Sequence, residues 1–207
     1  MDVRITEPER GMMQTFPCNV VHKDTASPIL AMLDSGSAIS CIDEEASKRL
    51  GCKKLTRKTT KALRYLDRKV PIDTRCVEVI LQNSDATVTE TLICWTIPDL
   101  AVGTRVCNWA VQKDHFPHLK HLDLPNIPKD ARIELLIGTN YPDMFIPLKY
   151  KKGKPGNPFA VKTKFGWTIL GAKLDKSVPR NRHDLGSYRT WFADMGYCIA
   201  PYDYLQD

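Results

Sequence analysis

One carboxylate, Asp34, closes an apolar run and is followed at once by Ser35, Gly36 and Ser37. In that setting a carboxylate can take a proton as a general base or, once protonated, give it back as an acid. Asp-Ser-Gly also makes ordinary turns, so the tripeptide alone does not separate a turn from a reactive group. His115, His118 and His121 recur every three residues. That spacing on a helix would present a metal-binding face, since imidazole is the commonest metal ligand. Pro117 lies between the first two and fits only the first turn of a helix, and no cysteine or acidic pair lies at matching spacing nearby. A surface loop is the preferred reading, and neither a metal nor any other cofactor is expected.

The seven cysteines are odd in number, and no two have Cys-x-x-Cys spacing. This argues against a disulfide framework and against a zinc ribbon. A reducing, intracellular location follows as an expectation, cytoplasmic or nuclear. No stretch approaches the roughly 20 apolar residues of a membrane span, and the first residues lack the apolar centre of a signal peptide. The net charge of +6 is spread along the chain, with denser stretches at 49–61 and 149–164. Nucleic-acid binders concentrate such charge on one face with aromatics between, so a solvated basic surface is expected rather than a nucleic-acid partner.

The elements that must position Asp34 can be read next. Residues 19–21 and 29–33 are apolar runs of strand length around a polar turn at 22–28, which makes a hairpin with Asp34 at its far end. Pro17 argues for a boundary or an edge. Residues 43–51 read as a short helix, with Asp43 as N-cap, acids in the first turn, bases in the last and Gly51 as the stop. Ile42, Ala46 and Leu50 give it one apolar stripe. A hairpin with a charged tip fits 59–73. A second hairpin joins 76–81 to 86–95 through a turn at 82–85. Residues 102–111 have no clear period. At 133–137 an apolar strand runs into Gly138. It is either a buried strand ended by glycine or a strand passing beneath a loop that carries a catalytic group, with Gly138 permitting close approach. Residues 145–149 and 159–170 read as further strands around a turn at 151–158. From 175 the chain is polar with late aromatics.

Asp34-Ser35-Gly36-Ser37 and, about a hundred residues later, Leu135-Leu136-Ile137-Gly138 occur in an order that resembles a retropepsin, the dimeric aspartic protease of retroelements. The stretches 133–140, 153–155 and 160–171, with His118-Leu119-Lys120, are similar to the peptidase region of Bel/Pao-type retrotransposons. The resemblance runs from about Phe16 to Gly171. It implies a mainly β fold: a retropepsin-like closed barrel of the acid-protease type with one or two short helices, active as a two-fold homodimer. It also implies a domain at 16–148, preceded by an arm at 1–15 and followed by a β-hairpin extension at 149–174 and a tail at 175–207.

The implied activity is hydrolysis of extended polypeptides, its own polyprotein included, by a water activated between two Asp34 carboxylates. No second Asp-Ser-Gly exists in the chain, so the second carboxylate must come from another copy. Ser35 would tie the two loops together, and Gly36 would donate its amide to the carboxylate. Ser37 would reach the outer carboxylate oxygen, while Ile137 and Gly138 would support the loop. The flap over the site would be the hairpin tip at Leu66, Asp67, Arg68 and Lys69. That tip has no glycine, and Thr139-Asn140 stands where relatives often carry a charge that pairs across the dimer. The glycine-free tip favours a second reading, a host-adopted retroelement domain of weak or no activity that serves as a dimeric interaction module.

Overall fold

In a computed structural model, residues 11–171 are described apart from 66–67, 102, 105 and 129, together with the backbone of 199–200. The fold is mainly β. Strands β1 (Thr15–His22) and β2 (Thr25–Leu33) form the first hairpin, and β3 (Cys41–Asp43) leads into helix α1 (Glu44–Arg49). Then follow β4 (Lys53–Lys54), the hairpin of β5 (Thr59–Tyr65) and β6 (Arg68–Thr74), and the hairpin of β7 (Cys76–Gln82) and β8 (Thr89–Ile97). A short helix, α2 (Trp109–Gln112), precedes β9 (Ile133–Ile137). Strands β10 (Lys149–Lys151), β11 (Phe159–Thr163) and β12 (Gly166–Leu170) come next, and β13 (Ile199–Ala200) is last.

Six strands close a barrel in the order β1-β2-β9-β3-β8-β7, and β1 meets β7 through Asn19 and Val20. Closure removes the free edges that an open sheet would leave. Alternation does the rest: Phe16, Cys18 and Val20 on β1 and Val77, Val79 and Leu81 on β7 point into one core. The run 29–33 does not alternate because both of its faces are covered. Ile29, Ala31 and Leu33 join the barrel core, whereas Leu30 and Met32 join a second core with Leu100, Ala101 and Ile127. Strand β9 carries one extra residue, Glu134, between the partners of Leu30 and Ala31. This bulge lets Leu135 and Ile137 face the first core and Ile133 and Leu136 the second.

Several local expectations change. The turn after β1 is only Lys23-Asp24, and Thr25–Pro28 already pair as strand, because Lys23 takes the left-handed backbone (φ 53) that a two-residue hairpin needs. Pro17 lies inside β1, in the half that pairs with β2 alone, where its missing N–H breaks no ladder. The helix forms with Asp43 as its cap, accepting from the amides of Glu45 and Ala46. Ile42, Ala46 and Leu50 all enter the barrel core. The second hairpin turn runs through Asn83–Val88 rather than 82–85, held by the Asn83 side chain and the Val88 amide.

Residues 149–171 form a three-stranded sheet, not a hairpin, because Lys149–Lys151 add a strand to β11. This sheet packs against the start of β1. Phe165 meets Phe16 with ring centroids 5.3 Å apart, and the Gly171 amide donates to Met12. The last residues of the expected arm are therefore packed, with Met12 buried beside Ile169. Of the expected tail, only 199–200 falls among the described residues, pairing with Leu63 and Ala62 of β5.

The three histidines do not share a helical face. His115 ends a single 3-10 turn, and His118 bonds the Pro158 carbonyl at 2.8 Å through Nε2. Among the described residues no group of histidines, cysteines and acids is placed to hold a metal. The six described cysteines are free. Burial pushes the Cys18 thiol up to about 12, so this side chain acts as a packing group, not a nucleophile. No helix among the described residues is long and apolar enough to cross a membrane.

Candidate active site

The Asp34 loop spans the gap between β2 and β3, and β9 fills that gap from below. Strand β9 runs parallel to β2, with Leu33 opposite Ile137, and antiparallel to β3, with Cys41 opposite Leu136. The loop therefore leaves the barrel on one side of β9 and returns on the other. Strand β9 is a buried strand that ends before Gly138, and it also passes beneath the Asp34 loop.

Hydrogen bonds clamp the loop to β9 and to the residues after it. The Asp34 amide donates to the Ile137 carbonyl (3.0 Å). Thr139 donates to the Ser37 carbonyl through both its amide (2.8 Å) and its hydroxyl (3.1 Å). Ser40 Oγ accepts the Gly138 amide (3.0 Å) and donates to Asn140 Oδ1 (2.9 Å). Gly138 fits against the loop only because it lacks a side chain. A Cβ there would stand 2.4 Å from the Ile39 carbonyl oxygen and 2.8 Å from that of Ser37.

Asp34 is 6% exposed, while Ser35 and Gly36 beside it are exposed. Its Oδ1 accepts the Gly36 amide at 2.9 Å, and no cation pairs with it among the described residues. Burial pushes the carboxyl above the ordinary carboxylate range, and the Gly36 N–H only partly offsets this. Below the carboxylate, burial and then the Asp34 charge drive the Cys41 thiol far up, which keeps it protonated.

Asp34, Ser35, Gly36, Ser37, Ile137 and Gly138 are thus brought together. Ser37 takes a different role from the expected one. Its hydroxyl donates to the Ile39 carbonyl at 2.7 Å, within its own loop, and not to the Asp34 carboxylate. Of the expected flap, Leu66 and Asp67 lie outside the described residues, and Arg68 and Lys69 open β6 opposite Tyr65 and Arg64. Ile72 of this hairpin, Trp95 and Ile39 each pack against the second core, and the Lys61 ammonium lies 4.8 Å from the Trp95 ring centre.

Ser40, Thr139 and Asn140 are the positioning residues that sequence reasoning missed. Thr139-Asn140 reads as a lost charge in the sequence, but folded it is a pair of clamps on the loop. A run of small hydroxyl residues after Asp34 was the only available signal, because their partners lie about a hundred positions away. Ser40→Ala leaves the buried Gly138 amide without an acceptor. We expect a loss of about 1–3 kcal/mol, read from urea unfolding, and unchanged stability would remove Ser40 from this role.

A comparison with protein-family models finds no match, and neither does a comparison with curated proteins.

Proposed function

We propose that this chain is one half of an aspartic endopeptidase of the retropepsin type, completed by a second copy at the Asp34 loop. The observation that carries the reading is the state of Asp34. A buried carboxylate with no cation is costly to a fold, and this one is held by a loop that β9, Ser40 and Thr139 clamp in place. The residues beside it, Ser35 and Gly36, are exposed and free to meet a partner loop.

One such carboxylate cannot both activate water and polarise a carbonyl. Two of them facing each other across a two-fold axis cannot both ionise readily, so they share a proton. The ionised one takes a proton from water as it attacks the scissile carbonyl carbon. The protonated one donates to the carbonyl oxygen. Collapse of the tetrahedral intermediate breaks the C–N bond, and the amine leaves with a proton from the dyad. No acyl-enzyme forms, and the titration belongs to the pair. Ser35, whose side chain makes no hydrogen bond among the described residues, would tie the two loops across the axis.

The substrate class is an extended polypeptide, bound by strand-like hydrogen bonds with pockets for alternate side chains. The pairing of β13 along β5 supports this, since that hairpin edge accepts an antiparallel strand. The glycine-free tip 66–69 favours the second reading, a dimeric interaction module without turnover, because glycine would ease close approach of backbone to substrate.

Sedimentation and cleavage of a peptide library, measured over the same protein concentrations, test the proposal. Activity should rise with the dimer fraction, as the square of concentration when monomer dominates. Full cleavage by a monomer would sink the shared dyad. A stable dimer that cleaves nothing at mildly acidic or neutral pH would favour the interaction module.

A further inference from the structure

One of the denser basic stretches extends over residues 48–75. Residues 48–75 hold eleven of the 30 Lys and Arg side chains and two of the 24 acids, more net charge than the +6 of the entire chain. Folding gathers part of this segment around a cavity of about 430 Å³, between α1, β4 and the residues where β6 meets β7. Its lining includes Glu44, Ser47, Lys48, Cys52, Lys54 and Arg75, and does not include Asp34.

Several cations of the segment already have partners. Arg49 pairs with Glu134, and Lys53 with Glu78. Glu44, the one carboxylate among the lining residues, is shared between Lys58 at 3.2 Å and Lys48 at 3.5 Å. Burial pushes the Glu44 carboxyl up, but the two lysines outweigh this and hold it below the ordinary range. Its charge is therefore present and already matched. Lys54 and Arg75 have no carboxylate partner among the described residues. The wall thus carries more positive than negative charge, with two cations uncommitted.

We propose that this cavity binds a polyphosphate group, two or more linked phosphates. An ammonium and a guanidinium both match phosphate oxygens, the guanidinium bidentately. The volume falls in the range of roughly 300–1,000 Å³ typical of small-ligand sites and leaves room for more than one phosphate. No aromatic side chain lines the cavity, so a base has no surface to stack on and recognition rests on the phosphates. The same chemistry could arrive free or within a nucleic-acid backbone.

Calorimetric titration of the full chain with inorganic tripolyphosphate tests this, in wild type, in Lys54→Gln/Arg75→Gln and in a distant control, Lys120→Gln/Lys152→Gln. Lys54, Lys120 and Lys152 are exposed and Arg75 is half-buried, and unfolding midpoints check that the fold is kept. Saturable binding should weaken about tenfold in the first variant, two charge contacts being lost. It should stay unchanged in the control and weaken with added salt. No binding to wild type, or equal weakening in the control, would overturn the proposal. A second arm adds single-stranded oligothymidylate. If it competes with tripolyphosphate and depends on Lys54 and Arg75, the phosphates belong to a nucleic-acid backbone. If it does not compete while tripolyphosphate binds, the ligand is a free polyphosphate.

Discussion

Replacing Asp34 with Asn should abolish the proposed peptide hydrolysis and leave the fold in place. In the proposed dimer the change would remove both carboxylates at once, so neither a base for the water nor an acid for the carbonyl would remain. Acid–base groups of this kind contribute about 10²–10⁴-fold each, and the expected loss is at least about a thousandfold. The fold survives because an amide keeps the Oδ1 acceptor that the Gly36 N–H uses at 2.9 Å. Asn also removes a charge that is buried without a cation. The direction of the resulting pH effect follows from burial, which raises the Asp34 carboxyl. A folded value above the unfolded one means that the folded chain holds its proton longer. Stability from this group is then complete below the ordinary carboxylate range and is lost as pH rises through the folded value. Asp34→Asn has no such loss, so its stability relative to wild type should grow from mildly acidic to neutral pH. Cleavage assays and urea unfolding at both pH values check the two halves. Wild-type turnover by Asp34→Asn would end the aspartic-protease reading. A variant less stable than wild type at neutral pH would mean that the carboxylate is a structural group.

Gly138→Ala should cost about 3 kcal/mol of stability and most of the activity, without touching a reacting group. The added methyl would meet the Ile39 carbonyl oxygen at 2.4 Å, its carbon at 2.6 Å and the Ser37 carbonyl oxygen at 2.8 Å, all of them backbone. No side chain can swing aside to relieve this, so either the loop or β9 must move. Moving them apart breaks the Thr139 bonds to Ser37 and the Gly138 bond to Ser40, and Asp34 shifts with the loop. A displacement of about 1 Å at a reacting group costs on the order of 10²-fold in rate. Gly156→Ala is the contrast. Gly156 has a left-handed backbone (φ +82) but open space around its Cα, so it should lose about 1 kcal/mol of conformational energy and no activity. Urea unfolding with a cleavage assay separates the two. Equal, small effects at both glycines would mean that the close approach at Gly138 is not what holds the loop.

Much of the framework is legible in the chain itself. The alternating runs at 76–82 and 89–95 mark a hairpin because one face of each strand enters a core. The acids, bases and Asp43 around 43–50 mark a helix because its orphan amides and its dipole need them. The closed β-barrel with few helices was in reach from such patterns together with the resemblance. The two-residue turn at Lys23-Asp24 was not, since a non-glycine residue in left-handed backbone leaves no compositional trace. The third strand at Lys149–Lys151 was hidden as well. Its side chains are all exposed, so no burial period marks it, and only pairing with β11 makes it a strand.

At the site, the sequence determined the chemistry that is present. Asp34, Ser35 and Gly36 form a carboxylate followed by a hydroxyl and a backbone free to approach it, and Gly138 ends an apolar strand. Which residues would hold that carboxylate was decided only in three dimensions. Ser37 turns to the Ile39 carbonyl instead of the carboxylate, and Ser40, Thr139 and Asn140 become the clamps. The physical reason is distance along the chain. A side chain and its neighbours in sequence set local conformation, but whether a hydroxyl finds an acceptor about a hundred residues away depends on β9 having threaded between β2 and β3. That threading is a property of the closed barrel and of no single segment within it.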